Sequence, residues 1–186
     1  MTTTDVDALL RSTGAILQGH FQLTSKRHSP TYIEKFRIME RPDATAALCA
    51  MIAARFRDAG ARLVAGPAMG GVILAYETAK QLGLRSVFAE KDAEGLLIFD
   101  RGFKIAAGEP VLVVDDVLTT GGSVRQMLAL LDEAKARIVG VGMLIDRTDG
   151  AIDFGVPFYA CHSMNIESFS PEDCPLCRRG LPLVET

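Results

Sequence analysis

The chain has 186 residues, 48% of them apolar and 23% charged, with a formal net charge of −3. That is one domain's length, enough for a hydrophobic core without crosslinks, and the fractions are those of an ordinary folded protein. The acidic balance lacks the basic footprint of a general nucleic-acid binder. No run approaches the ~18 apolar residues of a membrane span, and the polar, acidic start (Thr2, Thr3, Thr4, Asp5, Asp7) has no secretory pattern. A single domain over 1–186 is expected, cytoplasmic, with no nucleic acid and no membrane as partner. Four cysteines in a chain of this length do not make a disulfide scaffold.

In chain order, Val6, Leu9, Leu10, Thr13 and Leu17 recur near helical spacing, which predicts a helix over 5–18 ending near Gly19. Residues 21–32 mix polar, basic and turn-forming types, with a break at Ser29-Pro30 and a strand or loop on either side. A clearer helix spans 43–58. Leu48, Met51, Ile52 and Phe56 give it an apolar face, Pro42 suits its first turn and Gly60 its end. RLVAG at 62–66 reads as a buried strand running into the Gly-rich turn 66–71, GPAMGG. Helical spacing resumes over 71–82, and LRSVFA at 84–89 reads as the next strand.

Residues 90–109 scatter charge around a patchy apolar core, which fits a hairpin or flap better than a buried crossover helix. VLVV at 111–114 is the strongest strand signal in the chain. A helix over 123–134 and a strand over 138–145 follow. Beyond 165 the chain is rich in Ser, Pro and Cys, which suits a surface wrap or a short terminal strand. This alternation predicts an α/β fold, a mainly parallel central sheet flanked by helices.

The chemistry concentrates in 111–123, VLVVDDVLTTGGS. Ligands in open parallel sheets bind beyond the carboxyl ends of the strands. Here a strand delivers two carboxylates, then a turn of small residues, then a helix start. Gly121 and Gly122 let the backbone approach an anion, the helix start offers unpaired N–H groups, and Thr119, Thr120 and Ser123 add hydroxyls. That set suits a phosphate monoester. Asp115 and Asp116 would repel a bare phosphate. They make sense accepting hydrogen bonds from sugar hydroxyls, or holding a Mg²⁺ that bridges sugar and diphosphate; the competing reading is a solvated acidic turn. The turn carrying Gly70 and Gly71 offers amides for a diphosphate, or is simply a tight turn. No GxxxxGK[ST] is present and no GxGxxG follows the first strand, which argues against a P-loop NTPase and a dinucleotide fold.

Residues 111–123 resemble the ribose-phosphate motif of the type I phosphoribosyltransferases. From about Phe21 to Arg147 the chain resembles the orotate-specific members, in their short bacterial and archaeal form. FQLTSKRHSPTYIEK at 21–35 is similar to that family's hood stretch, VFAEKD at 87–92 to the start of its catalytic loop, and Asp146-Arg147 to its Asp-Arg pair. The resemblance implies a hood over about 20–40, a mobile flap over about 90–104 and a Cys- and Pro-containing tail over 165–186. It implies transfer of phosphoribose from 5-phosphoribosyl 1-diphosphate to orotate, with Mg²⁺, in a homodimer. Lys91 and Asp116 are the expected catalytic residues, with Arg101 second to Lys91. Arg147 is expected on the orotate carboxylate, which its planar fork matches.

The hood departs from the family pattern: the stretch that usually reads Lys-Ser-Gly is Thr24-Ser25-Lys26, and Lys26 would supply the charge from a shifted place. In the flap, Glu90 and Glu94 stand where basic residues are usual, and the loop histidine is missing. Two other readings therefore stay open. One is a phosphoribosyltransferase for another pyrimidine or a purine, and the other is a non-catalytic sensor of the sugar diphosphate. Cys174-Pro-Leu-Cys177, which short family members also carry, has metal-site spacing but supplies two ligands of the four that structural zinc needs. Cys49, Cys161 and His162 are the partners considered for it; a turn with redox-capable thiols is the alternative. His28 is expected to touch substrate or to lie at the surface.

Overall fold

The computed structural model describes residues 3–186. Met1 and Thr2, and with them the first residues of the polar N-terminal stretch, lie outside the described residues. In chain order the elements are α1 (Thr3–Ser12), β1 (Ile16–Gln22), β2 (His28–Ile33), α2 (Phe36–Met39), α3 (Pro42–Phe56), β3 (Leu63–Pro67), α4 (Gly70–Leu82), β4 (Arg85–Lys91), β5 (Leu97–Ile98), β6 (Pro110–Leu118), α5 (Gly122–Glu133), β7 (Arg137–Asp146), β8 (Phe158–Ser163), α6 (Pro175–Arg178) and β9 (Val184–Glu185).

Six strands form the main sheet in the order β5-β4-β3-β6-β7-β8, parallel except for the β4–β5 hairpin. Both faces are covered, which is why its strands read as unbroken apolar runs. Side chains alternate across the pleat. Val64, Leu112 and Val114 enter a core shared with α1, α2, α3 and α4, while Leu63, Ala65, Val111 and Val113 enter a second core under α5. The connection between β7 and β8 carries no helix. Ile152, Phe154 and Val156 from it pack onto the α5 side instead.

A second, three-stranded sheet, β2-β1-β9, joins segments near the two ends of the chain. Here the helix expected over 5–18 is corrected. It ends at Ser12, and Ile16 and Leu17 begin a strand. The Ser12 and Thr13 hydroxyls donate to the Leu9 and Leu10 carbonyls, and Gly14 takes a left-handed φ of 70°, so the chain turns before the apolar periodicity runs out.

Gly140 and Gly142 in β7 let α3 lie close on the sheet. A Cβ at Gly140 would collide with the Phe56 ring and one at Gly142 would meet Ile52 Cγ2 at 2.5 Å. Gly142→Val is expected to destabilise the fold by about 1–3 kcal/mol through overpacking. Urea denaturation monitored by circular dichroism checks this, and an unchanged midpoint would contradict it. Among the described residues no helix is long and apolar enough to cross a membrane.

Candidate active site

The site lies at the carboxyl-terminal half of β6, where the strand alternation sends the consecutive buried side chains of Asp115 and Asp116 to opposite sides. Asp115 points toward the start of α5 and accepts the Ser123 hydroxyl at 2.8 Å on Oδ2. Asp116 points toward α2, and its Oδ2 meets the Lys35 ammonium at 2.8 Å. The remaining oxygen of each accepts the next backbone N–H in the chain, Asp116 N–H to Asp115 Oδ1 at 2.8 Å and Val117 N–H to Asp116 Oδ1 at 2.7 Å. Local geometry thus fixes both carboxylates although both are buried.

Burial pushes the Asp115 carboxyl up to about 7, and the adjacent Asp116 charge pushes the same way against the Ser123 and backbone hydrogen bonds. The site therefore carries excess negative charge in little water. Lys35 offsets part of it. Burial pulls its ammonium down, but the charge and hydrogen bond of Asp116 and the charge of Asp115 outweigh that and raise it.

Downstream of the carboxylates the chain opens. Thr119, Thr120, Gly122 and Ser123 are exposed, and no side chain caps α5. Its first-turn amides are therefore left for an anion, with the dipole favouring one. Gly121, at φ 78°, makes the turn, and a Cβ there would press on Ile152 and Phe154 at 3.3 Å. A cleft of about 410 Å³ joins the parts, lined by Asp115, Asp116, Gly122 and Ser123 from β6 and α5, Pro67, Ala68 and Met69 from the turn after β3, and Lys35, Lys91, Leu97 and Gln126.

The two glycine-rich turns behave differently. In the first, Gly66 and Gly71 pack face to face: a side chain on Gly66 would strike the Gly71 carbonyl, and one on Gly71 the Pro67 ring. Their immediate role is close strand–helix approach. Gly70 bears on the site directly, since a Cβ there would overlap the Asp116 carboxylate and crowd the Met39 methyl. The Ala68–Met69 peptide, on the cleft wall, is cis.

Lys91 ends β4 on the rim of the cleft and is exposed. Its hairpin turn is held by Asp92, whose Oδ1 accepts the Glu94 and Leu96 N–H groups at 3.0 and 2.8 Å. Arg101 does not line the cleft. Its guanidinium forks onto Glu90 at 2.9 and 3.1 Å, exposed beside the β4–β5 hairpin. Lys26 is likewise exposed, at the tip of the β1–β2 turn with a φ of 62°, where its N–H donates to the Leu23 carbonyl. The lysine that meets the carboxylates is Lys35, at the far end of the same hood segment. Gln126, one turn into α5, lines the cleft as well. Gln126 carries no motif, and Lys35 closes the 21–35 stretch without that stretch marking it as a partner of Asp116; each takes its part through its place in the fold.

Arg147 follows β7, with its N–H on the Leu118 carbonyl at 2.9 Å. Asp146, buried, organises the turn by accepting from Thr148 N–H and hydroxyl and from Gly150 N–H. The Arg147 side chain is half-buried near Tyr32 of β2. Burial lowers its pKa, and its Nε is buried with no partner among the described residues. A buried guanidinium N–H without an acceptor is a costly arrangement that an anionic ligand would satisfy.

The chain as a whole is similar to known proteins. Residues 38–174 match the family model described as the phosphoribosyl transferase domain. An orotate phosphoribosyltransferase of Pelotomaculum thermopropionicum is 45% identical over 185 residues, covering 100% of this chain and 97% of that one. One of Chlorobium phaeobacteroides is 46% identical over 175 residues, covering 94% and 90%. The crystal structure of orotate phosphoribosyltransferase from Aeropyrum pernix superposes with a TM-score of 0.74 at 26% identity, covering 86% of this chain and 93% of that one. With carboxylates, anion-receptive loop and full-length likeness all in agreement, the chain belongs to the orotate phosphoribosyltransferase family of phosphoribosyltransferase enzymes.

Proposed function

We propose that this chain transfers the 5-phosphoribosyl group from 5-phosphoribosyl 1-diphosphate to orotate, giving orotidine 5′-phosphate and diphosphate, and that the cleft beside Asp115 and Asp116 is where it does so. The observation that carries the reading is the juxtaposition, in one cleft, of two buried carboxylates with an uncapped helix start. In this reading the 5′-phosphate lies on the amides and hydroxyls of 119–123, and Asp115 and Asp116 receive the ribose hydroxyls. The diphosphate lies against the turn of Gly70 and Gly71.

As the bond to the anomeric carbon lengthens, positive charge develops on the ribose and negative charge on the departing diphosphate. Lys91 stabilises the second, and the fixed carboxylates tolerate the first. Arg147 receives the orotate carboxylate, satisfying its unpartnered Nε, and so selects an acidic base. Arg101 would act only after leaving Glu90, which makes it the weaker candidate. Closure of the 90–104 flap would exclude water from the sugar donor.

The site's donors fit Mg²⁺: Asp115 and Asp116 offer only oxygen, and their mutual repulsion is relieved by a cation. Mg²⁺ held there with the sugar diphosphate would serve as a Lewis acid toward the leaving group. A homodimer belongs to the same proposal. Met69, Ile73 and Tyr76 leave an exposed apolar stripe along α4 at the cleft wall, the kind of patch that a subunit contact covers. The cytoplasm is the proposed setting for this biosynthetic role.

The direct test is diphosphate release from the sugar donor with Mg²⁺ across a panel of bases. Orotate is expected to support turnover far above adenine, hypoxanthine, guanine and uracil; preference for any of these over orotate would redirect the assignment. Arg147→Ala is expected to lower kcat/KM for orotate on the order of 10–10²-fold, the worth of a charged hydrogen bond, with donor affinity unchanged. Equal loss for both substrates would show that Arg147 serves the fold rather than the base.

A further inference from the structure

Away from the cleft, the hood sheet and the C-terminal tail bring four ligand-type side chains together: His20 of β1, His28 of β2, and Cys174 and Cys177 around α6. Their facing atoms all lie within 4.8 Å of one another. His20 Nε2 is 3.5 Å from Cys174 Sγ and 3.6 Å from Cys177 Sγ, His28 Nδ1 is 3.2 Å from Cys177 Sγ, and the two imidazole nitrogens are 3.1 Å apart. A tetrahedron with metal–nitrogen bonds of about 2.05 Å and metal–sulfur bonds of about 2.3 Å has edges of about 3.3–3.8 Å. These four separations fall at or just inside those edges, and all six lie within 4.8 Å, so small shifts suffice to close the tetrahedron.

We infer that His20, His28, Cys174 and Cys177 form a structural Zn²⁺ site that staples the C-terminal tail to the hood. Three features support it. First, His20 Nδ1 lies 2.9 Å from the Leu181 carbonyl. Donation of its N–H there turns the Nε2 lone pair toward the cluster, the outer hydrogen bond that orients metal-bound histidines. Second, β1 carries an extra residue between Gln18 and Phe21. A bulge re-aims a side chain, and His20, within it, is buried against His28. Third, the tail has little core of its own: from Ser170 to the end only Cys174 and Leu176 are buried, and what else ties it down is the short β9 pairing with β1 and its hydrogen bonds at Gln22. A segment with so small a core needs a crosslink.

The chemistry selects the ion. Two thiolates and two neutral imidazoles balance Zn²⁺, so the site buries no net charge, and S₂N₂ tetrahedral donors favour zinc over the hard cations. All four positions are filled by protein atoms, which makes the site structural. None of the four lines the catalytic cleft. The partners considered for Cys174 and Cys177 from spacing are corrected: Cys49 and Cys161 sit in the main core, their thiols pushed up to about 11 and about 12 by burial, and His162 Nε2 faces Asp7 at 4.0 Å.

The test is the metal content of the purified full-length protein, kept reduced and passed through gel filtration. One Zn²⁺ per chain is expected. Cys49→Ser/Cys161→Ser should keep it, and Cys174→Ser/Cys177→Ser should lose it. Because the latter variant can fail to fold, wild-type protein is also exchanged with Co²⁺. A thiolate charge-transfer band and the intense visible bands of tetrahedral cobalt are expected. Chelation should expose the chain to trypsin at Arg178 and Arg179. Wild type that takes up no zinc, a Cys174–Cys177 disulfide persisting in reductant, or octahedral cobalt would each overturn the site.

Discussion

Asp116→Asn is expected to lower kcat on the order of 10²–10³-fold, the usual cost of removing one preorganised electrostatic group from a reaction site. Folding stability should change by less than about 1 kcal/mol. The partner, Lys35, is 36% exposed along its side chain and can turn to water, so the lost ion pair counts as a largely screened one. The substitution also relieves the repulsion on Asp115. That carboxyl stands at about 7 against an ordinary 3.8. A raised acid favours the fold through its protonated form, so its contribution is fully present below the ordinary value and is lost as pH rises through about 7. Removing the neighbouring charge should bring Asp115 down and narrow that window, which a carboxyl-carbon NMR titration reads directly. Equal loss of turnover and stability would reject a ligand role for Asp116.

Lys91→Ala is expected to slow the chemical step on the order of 10²-fold while the sugar donor still binds. The lysine stands exposed on the rim, at the end of β4, and supports no packing that its removal would disturb. Its charge matters most as the diphosphate departs, so the interaction is stronger in the transition state than in the bound substrate. Single-turnover kinetics by rapid quench should show the slowed step with an unchanged fold. An unchanged single-turnover rate would move the role elsewhere, with Arg101, once released from Glu90, the next residue to substitute.

The main sheet was legible because its strands are buried on both faces and its helices on one. VLVV at 111–114 could be little else, and Gly83 ends α4 in the left-handed cap its type favours. The carboxylates and the loop after them were legible for the same reason: strand, charge, turn and helix start are contiguous. Less was readable where partners lie far apart in the chain. Lys35 meets Asp116 across 81 positions, and the 21–35 stretch that ends on Lys35 does not name Asp116 as its partner. Leu17 continues a helical apolar pattern by coincidence, so residues 16–18 of β1 fall inside the expected helix, although the Ser12 and Thr13 hydroxyls and Gly14 end it earlier. The meeting of His20 with Cys174 and Cys177 joins residues more than 150 positions apart and leaves no local mark in the sequence. β8 lies in a stretch too mixed in character to declare a strand, and its place at the sheet edge comes from pairing with β7.

The proposed function turns on how the 111–123 segment receives a phosphorylated sugar. A crystal structure with Mg²⁺ and 5-phosphoribosyl 1-diphosphate measures it most directly. The 5′-phosphate should lie on the backbone N–H groups between Thr119 and Ser123, with the ribose hydroxyls facing Asp115 and Asp116. A donor molecule seated away from that loop, with both carboxylates still engaged only by Ser123 and Lys35, would contradict the account.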